Sequence, residues 1–226
     1  MMLSNTVGIG ASGMFKIVTG LLLVAALCMA APSAHAIEKD STNFKKSSDA
    51  FEPTYGPTLP PIGYVEYCER NQRDCQPLGG TRYKLELTAE RWKLLGEVNA
   101  FVNTSIKPES DQELYAVPER WEIPTSAGDC EDYVLLKQRY LEGLGFPVET
   151  LLITVVLDES GEGHAVLTVR SDRGDLVLDN RRNAILLWSE TRYEYLKRQS
   201  QENPQLWVAL TRKTRRGELN IAGGGQ

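Results

Sequence analysis

The sequence contains very little histidine, and this scarcity limits the chemistry that it can carry. Of its 226 residues, two are histidine and four are cysteine. His35 and Cys28 fall in an N-terminal stretch that we expect to be removed, which leaves His164 and three cysteines. A zinc site built from several Cys and His ligands is therefore almost excluded.

The sequence also contains fewer basic than acidic residues. The chain has 25 Lys and Arg residues against 30 Asp and Glu residues, and its formal net charge is −5 at pH 7. A nucleic-acid-binding protein would need a basic face. We therefore expect no nucleic-acid partner, whereas the acidic balance is compatible with a cation or with a positively charged partner.

Long hydrophobic runs are missing from the sequence beyond its N-terminus. Lys16 precedes an apolar run at 17–31, and the small-residue site Ala34-His35-Ala36 follows it. This pattern predicts a signal peptide over residues 1–36. The alternative is a transmembrane anchor, but the run is shorter than the roughly 20 residues that span a bilayer. We expect an exported protein that is not embedded in a membrane once the signal is cleaved.

The remaining sequence indicates one α+β domain with short flanking segments. Residues 37–60 are expected to form a flexible lead segment, 61–211 the folded domain and 212–226 a frayed tail. Apolar periodicity predicts helices at 88–107 and 130–143 and strands at 148–157, 164–170, 175–180 and 206–210. An irregular connection is expected at 107–124, and a short helix or loop within the mixed stretch 181–200. Helices first and strands afterwards favour an α+β fold.

Cys130 lies at the predicted start of the second helix. Asp129 is a suitable N-cap residue, and Asp132 could answer it in an arrangement like a capping box. The positive end of the helix dipole would favour a thiolate at Cys130, and a thiolate is a nucleophile. The alternative is a small apolar residue buried at a helix start.

A predicted hairpin brings the remaining histidine close to a carboxylate. A turn centred on Asp172 and Arg173 places Asp179 opposite Val166 and diagonal to His164, on the same face of the sheet. A carboxylate on one ring nitrogen would leave the other nitrogen free to take a proton from a thiol. A strand histidine and a turn aspartate without catalytic roles are the alternatives, and an odd-length loop would reverse the register.

The other two cysteines are close together in the sequence. Cys68 and Cys75 could close a short disulfide in an exported protein. Cys130 would then be the one unpaired cysteine, which makes it a candidate reactive thiol.

Three motifs in this order resemble those of the bacterial transglutaminase-like cysteine proteinases of the LapG type. They are GDCEDY at 128–133, HAVL at 164–167 and VLDN at 177–180. The resemblance extends from about residue 64 to residue 210. It implies a transglutaminase or papain-like fold, in which a helical half carries the nucleophile helix against a small antiparallel sheet. It also implies a Cys-His-Asp triad of Cys130, His164 and Asp179.

The same resemblance implies a calcium site beside the nucleophile. The acidic residues that it points to are Asp129 and Glu131, with Asp132 as a possible helper. Carboxylates are hard oxygen ligands that suit calcium. Three acids would otherwise raise the pKa of a neighbouring thiol, so a cation there is a sensible activator. The alternative is that these acids interact favourably with the helix dipole.

The resemblance implies a periplasmic calcium-dependent endopeptidase. Its substrate would be the N-terminal region of a large repeat-containing surface adhesin, whose release promotes biofilm dispersal. An inner-membrane cyclic-di-GMP receptor would inhibit it. A transglutaminase or amidase acting through the same triad and a non-catalytic calcium-binding module are the alternatives. Trp121 and Trp92 are candidates to line a substrate groove, and Trp121 could donate its indole N–H to an oxyanion, although both could simply pack in the core.

Overall fold

The structure is a computed structural model in which residues 50–77 and 84–212 are described. The predicted signal peptide, residues 37–49 of the lead segment and residues 213–226 of the tail lie outside the described residues. Within the described ranges, no helix combines the length and the apolar composition that a membrane crossing needs.

The described chain alternates helices with strands in its first half and consists mainly of strands in its second half. The helices are α1 (Ile62–Arg70), α2 (Ala89–Ser105), α3 (Asp111–Tyr115) and α4 (Cys130–Gly143). The strands are β1 (Pro57–Thr58), β2 (Lys107–Pro108), β3 (Ala127–Gly128), β4 (Leu151–Leu157), β5 (Gly163–Ser171), β6 (Gly174–Asp179), β7 (Arg182–Leu187), β8 (Glu194–Gln199) and β9 (Trp207–Ala209).

Seven of the strands form one antiparallel sheet in the order β1-β9-β8-β4-β5-β6-β7. Strands β4 and β6 are buried along their whole length, and the continuous apolar run of β4 predicted this for that strand. The short strands β2 and β3 pair separately in parallel, and β3 directly precedes α4. The α+β fold expected from the sequence is therefore confirmed.

The two faces of β5 contribute to different cores. Ala165 and Leu167 belong to the large core that the helices share with the sheet. Val166 belongs to a smaller cluster with Val177 and Tyr193. Helix α4 packs on β5 and β4, and α2 packs on α4 and β7. The start of α4 therefore lies against the strand that carries the predicted catalytic histidine.

The β5–β6 hairpin has the register predicted from the sequence. Leu167 pairs with Leu178, and Ser171 pairs with Gly174 across the two-residue turn. Gly174 has φ = 141°, and a Cβ atom there would lie 2.8 Å from the carbonyl oxygen of Ala50. A glycine is thus needed both for the backbone conformation and for the close approach of the N-terminal segment.

Residues 50–58 do not behave as the flexible lead segment predicted for 37–60. The backbone N–H of Asp175 donates to the carbonyl of Ala50 at 2.8 Å, and that of Tyr55 donates to the carbonyl of Ala209 at 2.8 Å. Strand β1 then pairs with β9. Pairing with the sheet edge fixes a segment whose polar, proline-containing composition had indicated little structure.

Three further elements differ from the sequence-based expectation. Helix α1 was not among the predicted helices, and Tyr64 and Tyr67 form its buried face. Helix α3 interrupts the connection predicted to be irregular. Strands β7 and β8 occupy the stretch 181–200, for which a short helix or loop was predicted.

The disulfide predicted between Cys68 and Cys75 is present, with the sulfurs 2.04 Å apart. It joins the last turn of α1 to a 3₁₀ turn at Gln72–Cys75. The side chain of Gln205 donates to the carbonyl of Cys75 at 2.8 Å, which connects this loop to the segment before β9. Cys130 is the free cysteine of the described residues.

Candidate active site

Cys130 is the first residue of α4 and is partly buried. Asp129 has the extended backbone of an N-cap residue, but its side chain makes no capping hydrogen bond, so this part of the prediction is wrong. The thiol of Cys130 donates to Oε2 of Glu131 at 3.1 Å. In this arrangement the thiol of Cys130 is protonated, and its proton is shared with the carboxylate of Glu131.

His164 and Asp179 form the predicted diagonal pair. Nε2 of His164 lies 3.0 Å from Oδ1 of Asp179, and both side chains are fully buried. Because an ionised carboxylate only accepts, the ring proton belongs on Nε2. Nδ1 is buried and has no hydrogen-bond partner among the described residues. It is therefore the ring nitrogen that is available to accept a proton.

The backbone places Cys130 next to this histidine. The backbone N–H of Ala165, the residue that directly follows His164, lies close enough to the Cys130 thiol to offset a small part of the rise in its pKa. The helix start and the first residues of β5 thus bring the thiol to the strand position that carries the imidazole. The structure thus brings the three predicted residues to one region of the fold, while their catalytic roles stay a prediction.

The Asp179 carboxylate is saturated with donors. Oδ1 also accepts from the backbone N–H of Arg181 at 3.0 Å. Oδ2 accepts from the hydroxyl of Tyr193 at 2.5 Å and pairs with Nε of Arg182 at 3.2 Å. Burial alone would raise the pKa of Asp179, but the hydrogen bond and charge of His164, with the hydroxyl of Tyr193, lower it below its usual range. Asp179 is thus held ionised by the protein itself.

A group of three carboxylates lies beside the thiol. Oxygens of Asp111, Asp129 and Glu131 all lie within 4.8 Å of one another. One oxygen of each is buried without a hydrogen-bond partner among the described residues, and so is Oδ2 of Asp132. Buried oxygens of this kind are normally satisfied by donors or by an ion. We call Asp111, Asp129 and Glu131 the acidic group.

The acidic group is electrostatically unfavourable when it has only protein around it. Burial and the charge of Asp129 raise the pKa of Glu131 well above its ordinary value. Burial and Asp129 likewise raise the pKa of Asp111 to about 6. Close, buried oxygens without donors fit a hard divalent cation such as calcium, which takes six to eight oxygen ligands.

Asp111 was missed by the sequence analysis. It is the first residue of α3, and Glu113 caps that helix by accepting from the backbone N–H of Ser110 at 3.1 Å. The pattern of a serine followed three residues later by a glutamate is a recognised helix-start signal. It could have revealed α3, although not that α3 brings Asp111 to Asp129.

Asp132 does not join the acidic group but supports the loop beside it. Its Oδ1 accepts from the backbone N–H of Glu122 at 2.8 Å. A Cβ atom on Gly128 would lie 2.5 Å from its Oδ2, so a glycine is required there. Burial, with Asp129 and Asp111 nearby, raises the pKa of Asp132 to about 8. Asp132 therefore positions the loop at Glu122, and its suggested part as a helper at the cation site stays a prediction.

The thiol does not have the lowered pKa that the helix dipole suggested. Burial, followed by the charges of Glu131 and Asp129, raises the pKa of Cys130 well above its ordinary value. The helix dipole contributes about half a unit charge, which is less than these carboxylates contribute together. The acidic group therefore opposes thiolate formation unless its charge is neutralised.

Trp121 lines no groove, contrary to the sequence-based suggestion. It is fully buried, and its indole N–H donates to Oε1 of Glu119 at 2.8 Å. Its ring packs edge-on against Tyr64 at 5.4 Å. Since the indole N–H is already used, it cannot serve as an oxyanion donor. Trp92 is partly buried and packs against the main core.

A helix-borne thiol beside a strand histidine that is paired with an aspartate defines the class of papain-like and transglutaminase-like thiol enzymes. Comparison with known proteins narrows this class. The family described as bacterial transglutaminase-like cysteine proteinase BTLCP matches residues 54–215. The chain belongs to this family and is a transglutaminase-like cysteine peptidase.

Solved structures similar to this chain include LapG of Legionella pneumophila in several states. One LapG structure shares 28% identity over 52% of this chain and 67% of its own, with a TM-score of 0.44. The EGTA-treated form has the same identity and coverage, with a TM-score of 0.45. The calcium-bound form shares 24% identity over 68% of this chain and 92% of its own, with a TM-score of 0.46. No curated protein matches the sequence.

Proposed function

We propose that this peptidase is a calcium-dependent cysteine endopeptidase with Cys130, His164 and Asp179 as its catalytic triad. The observation that carries the proposal is the position of the thiol. Helix α4 packs on β5 with the thiol near the backbone of Ala165, and the preceding His164 has Nε2 on Asp179 and an Nδ1 without a hydrogen-bond partner among the described residues.

In the proposed reaction, Nδ1 of His164 takes the thiol proton and the sulfur of Cys130 attacks the carbonyl carbon of the scissile peptide bond. The imidazolium then donates this proton to the leaving amine, which leaves a thioester on Cys130. Water, deprotonated by the same nitrogen, hydrolyses the thioester and restores the thiol. Asp179 holds the ring in the required tautomer and stabilises the imidazolium through the 3.0 Å hydrogen bond.

Calcium dependence is proposed from the acidic group. Asp129 and Glu131, the residues expected from the sequence, would hold the ion together with Asp111. A bound cation would supply the positive charge that offsets the carboxylates beside the thiol. Glu131 would then act as a ligand and no longer as the acceptor of the thiol proton. The unpartnered buried oxygens of all three residues support this assignment.

The location, substrate and partner are proposed from the family and the sequence. The signal peptide expected at 1–36 supports export to the periplasm. The proposed substrate is the N-terminal region of a large repeat-containing surface adhesin, whose cleavage would release the adhesin and promote biofilm dispersal. The proposed inhibitor is an inner-membrane cyclic-di-GMP receptor.

A cleavage assay tests the proposed function. The probe is the purified N-terminal region of the large adhesin from the same organism, incubated with the protein in calcium or in EGTA. We expect cleavage only in calcium, and none with Cys130→Ala, because alanine removes the nucleophile while suiting the first turn of a helix. Equal cleavage in EGTA would contradict the proposed calcium dependence. Cleavage by Cys130→Ala would show that Cys130 is not the nucleophile.

The nature of the acyl acceptor needs a separate measurement. When the cleavage products are analysed by mass spectrometry in the presence of a primary amine, a peptidase leaves a free carboxylate on the new C-terminus. Predominant incorporation of the amine would instead identify a transglutaminase that acts through the same thioester.

A further inference from the structure

Two asparagines of α2 reach the turn that carries Asp179. Nδ2 of Asn103 donates to the carbonyl of Asp179 at 2.9 Å and to that of Arg182 at 3.2 Å. Nδ2 of Asn99 donates to the carbonyls of Arg182 and Asn183, both at 3.1 Å. The two asparagines are four residues apart, so they lie on the same face of the helix.

This turn is a place where the sheet is irregular. The pairing of β6 with β7 shifts register between Val177 and Asp179. Shifts of this kind interrupt the regular ladder of backbone hydrogen bonds, and they are frequent beside active sites. The amides of Asn99 and Asn103 provide donors to backbone carbonyls at this position.

The same turn supplies two of the contacts that hold the Asp179 carboxylate. Arg181 donates its backbone N–H to Oδ1, and Arg182 places Nε 3.2 Å from Oδ2. Fixing the carbonyls of Asp179 and Arg182 therefore fixes the carboxylate and these two donors together. His164 is in turn oriented by that carboxylate.

Stability alone is a poor explanation for these amides. Asn99 is fully buried, and Oδ1 of Asn99 and of Asn103 has no hydrogen-bond partner among the described residues. Burial of an amide with one unpaired oxygen costs free energy that an apolar side chain of similar size would not. The amides are therefore better explained by the backbone carbonyls that their N–H groups fix than by their packing in the core.

We propose that Asn99 and Asn103 are positioning residues that set the orientation of the Asp179–His164 pair from the adjacent helix. The inference rests on the proposed function insofar as it takes Asp179 to orient His164 for catalysis. It assigns α2 a part in the site although none of its side chains belongs to the triad.

The test replaces Asn103 with alanine. Asn103 is half-buried on a helix, and alanine is the best helix former, so Asn103→Ala should fold. The matched control is Thr104→Val, since the hydroxyl of Thr104 bonds only to carbonyls of its own helix, Ala100 and Phe101. Asn99→Ala is the second variant, and because Asn99 is fully buried, circular dichroism should confirm its fold.

Two readouts separate positioning from a purely structural role. For Asn103→Ala we expect kcat to fall about 10- to 100-fold, a loss that small misplacements in active sites bring. We expect KM and the melting temperature to change little, and Thr104→Val to match the wild type. In NMR spectra of Cys130→Ala protein, the His164 imidazole proton bonded to Asp179 should shift or exchange faster when Asn103→Ala is added.

Unchanged kcat and an unchanged imidazole signal in Asn103→Ala would overturn the inference. A fall in kcat that merely follows a fall in the folded fraction would also overturn it. The NMR readout needs no substrate, so it remains informative even if the wild-type protein fails to cleave the adhesin. In that case the proposed function fails, while a perturbed imidazole signal still supports the positioning role.

Discussion

The Asp179 carboxylate and the acidic group are both buried in the candidate active site, yet the protein stabilises their charges to very different degrees. Asp179 receives contacts from His164, Tyr193, Arg181 and Arg182 and has a lowered pKa. Glu131 of the acidic group has an unpartnered oxygen and a raised pKa. Burial is common to both, so the supply of donors decides which carboxylate stays ionised.

The site therefore contains one carboxylate whose charge the protein compensates and a group of carboxylates whose charge it does not. The charge on Asp179 is stabilised by the sheet and its turn, so it needs nothing from outside the chain. The charges of the acidic group are left without compensation at the start of α4. We infer that the chain alone orients the histidine, whereas an external cation is required to prepare the thiol.

The largest effect is expected from Asp179→Asn. An amide in place of the carboxylate would favour the wrong histidine tautomer, and in serine peptidases this change lowers kcat by about 10⁴-fold. We expect a loss of similar order in the cleavage assay, with calcium binding unchanged. If Asp179→Asn kept more than about a tenth of wild-type kcat, Asp179 would not be the residue that orients His164.

Asp111→Asn should weaken calcium without disturbing the triad. Removal of one of three anionic ligands should lower calcium affinity by about 10-fold or more, and saturating calcium should restore most of the activity. Isothermal titration calorimetry gives the affinity, and Glu113→Gln on the same helix is the control. An unaltered calcium affinity would exclude Asp111 from the ligand set.

Tyr193→Phe removes one of the donors to Asp179 and leaves the ring in place. A hydrogen bond to a charged group contributes about 1.5–3 kcal/mol, of which the other three contacts should recover a part. We expect kcat to fall about 10-fold, with no change in the calcium concentration that gives half-maximal activity. A change in that concentration would show that the two carboxylate systems are coupled.

The smallest effect is expected at Glu52, a buried carboxylate that pairs with Arg198 at 3.6 Å but accepts no hydrogen bond among the described residues. Burial, only partly offset by Arg198, raises its pKa from 4.5 to about 8, with Asp175 raising it further and Arg170 lowering it. The folded state therefore holds this proton while the unfolded state loses it. Its contribution to stability is complete below pH 4.5 and is lost as the pH rises to about 8.

Glu52→Gln should remove this part of the pH dependence. Between pH 5 and pH 8, the melting temperature of the wild type should fall more than that of the variant. Asp172→Asn on the neighbouring hairpin is a suitable control for a general effect of charge. Parallel curves for the wild type and Glu52→Gln would show that Glu52 is ionised in the folded state at neutral pH.

The parts of the structure that the sequence predicts are those decided by local pattern. Helix α2, predicted from apolar periodicity, begins at Ala89 and is capped by Thr88 through a 3.2 Å hydrogen bond from the N–H of Arg91. The β5–β6 register follows from alternation and a short turn, and it led directly to the pairing of His164 with Asp179.

The parts that the sequence does not predict depend on partners far away along the chain. Strand β8 carries Arg198 and Gln199, which look like surface residues but are buried. Arg198 pairs with Asp175 at 3.1 Å, and the Gln199 side chain donates to the hydroxyl of Tyr64 at 2.7 Å. Asp111 reaches the acidic group in the same way, since only the fold brings α3 to the start of α4.

Thermal unfolding with and without calcium tests most directly whether the cation acts on the acidic group and not on the Asp179–His164 pair. Because a ligand that binds only the folded state stabilises it, calcium should raise the melting temperature of the wild type and of Asp179→Asn equally. It should not raise that of the double variant Asp129→Asn, Glu131→Gln, which should also show little activity at any calcium concentration. A calcium-dependent rise in the double variant equal to that of the wild type would contradict the account.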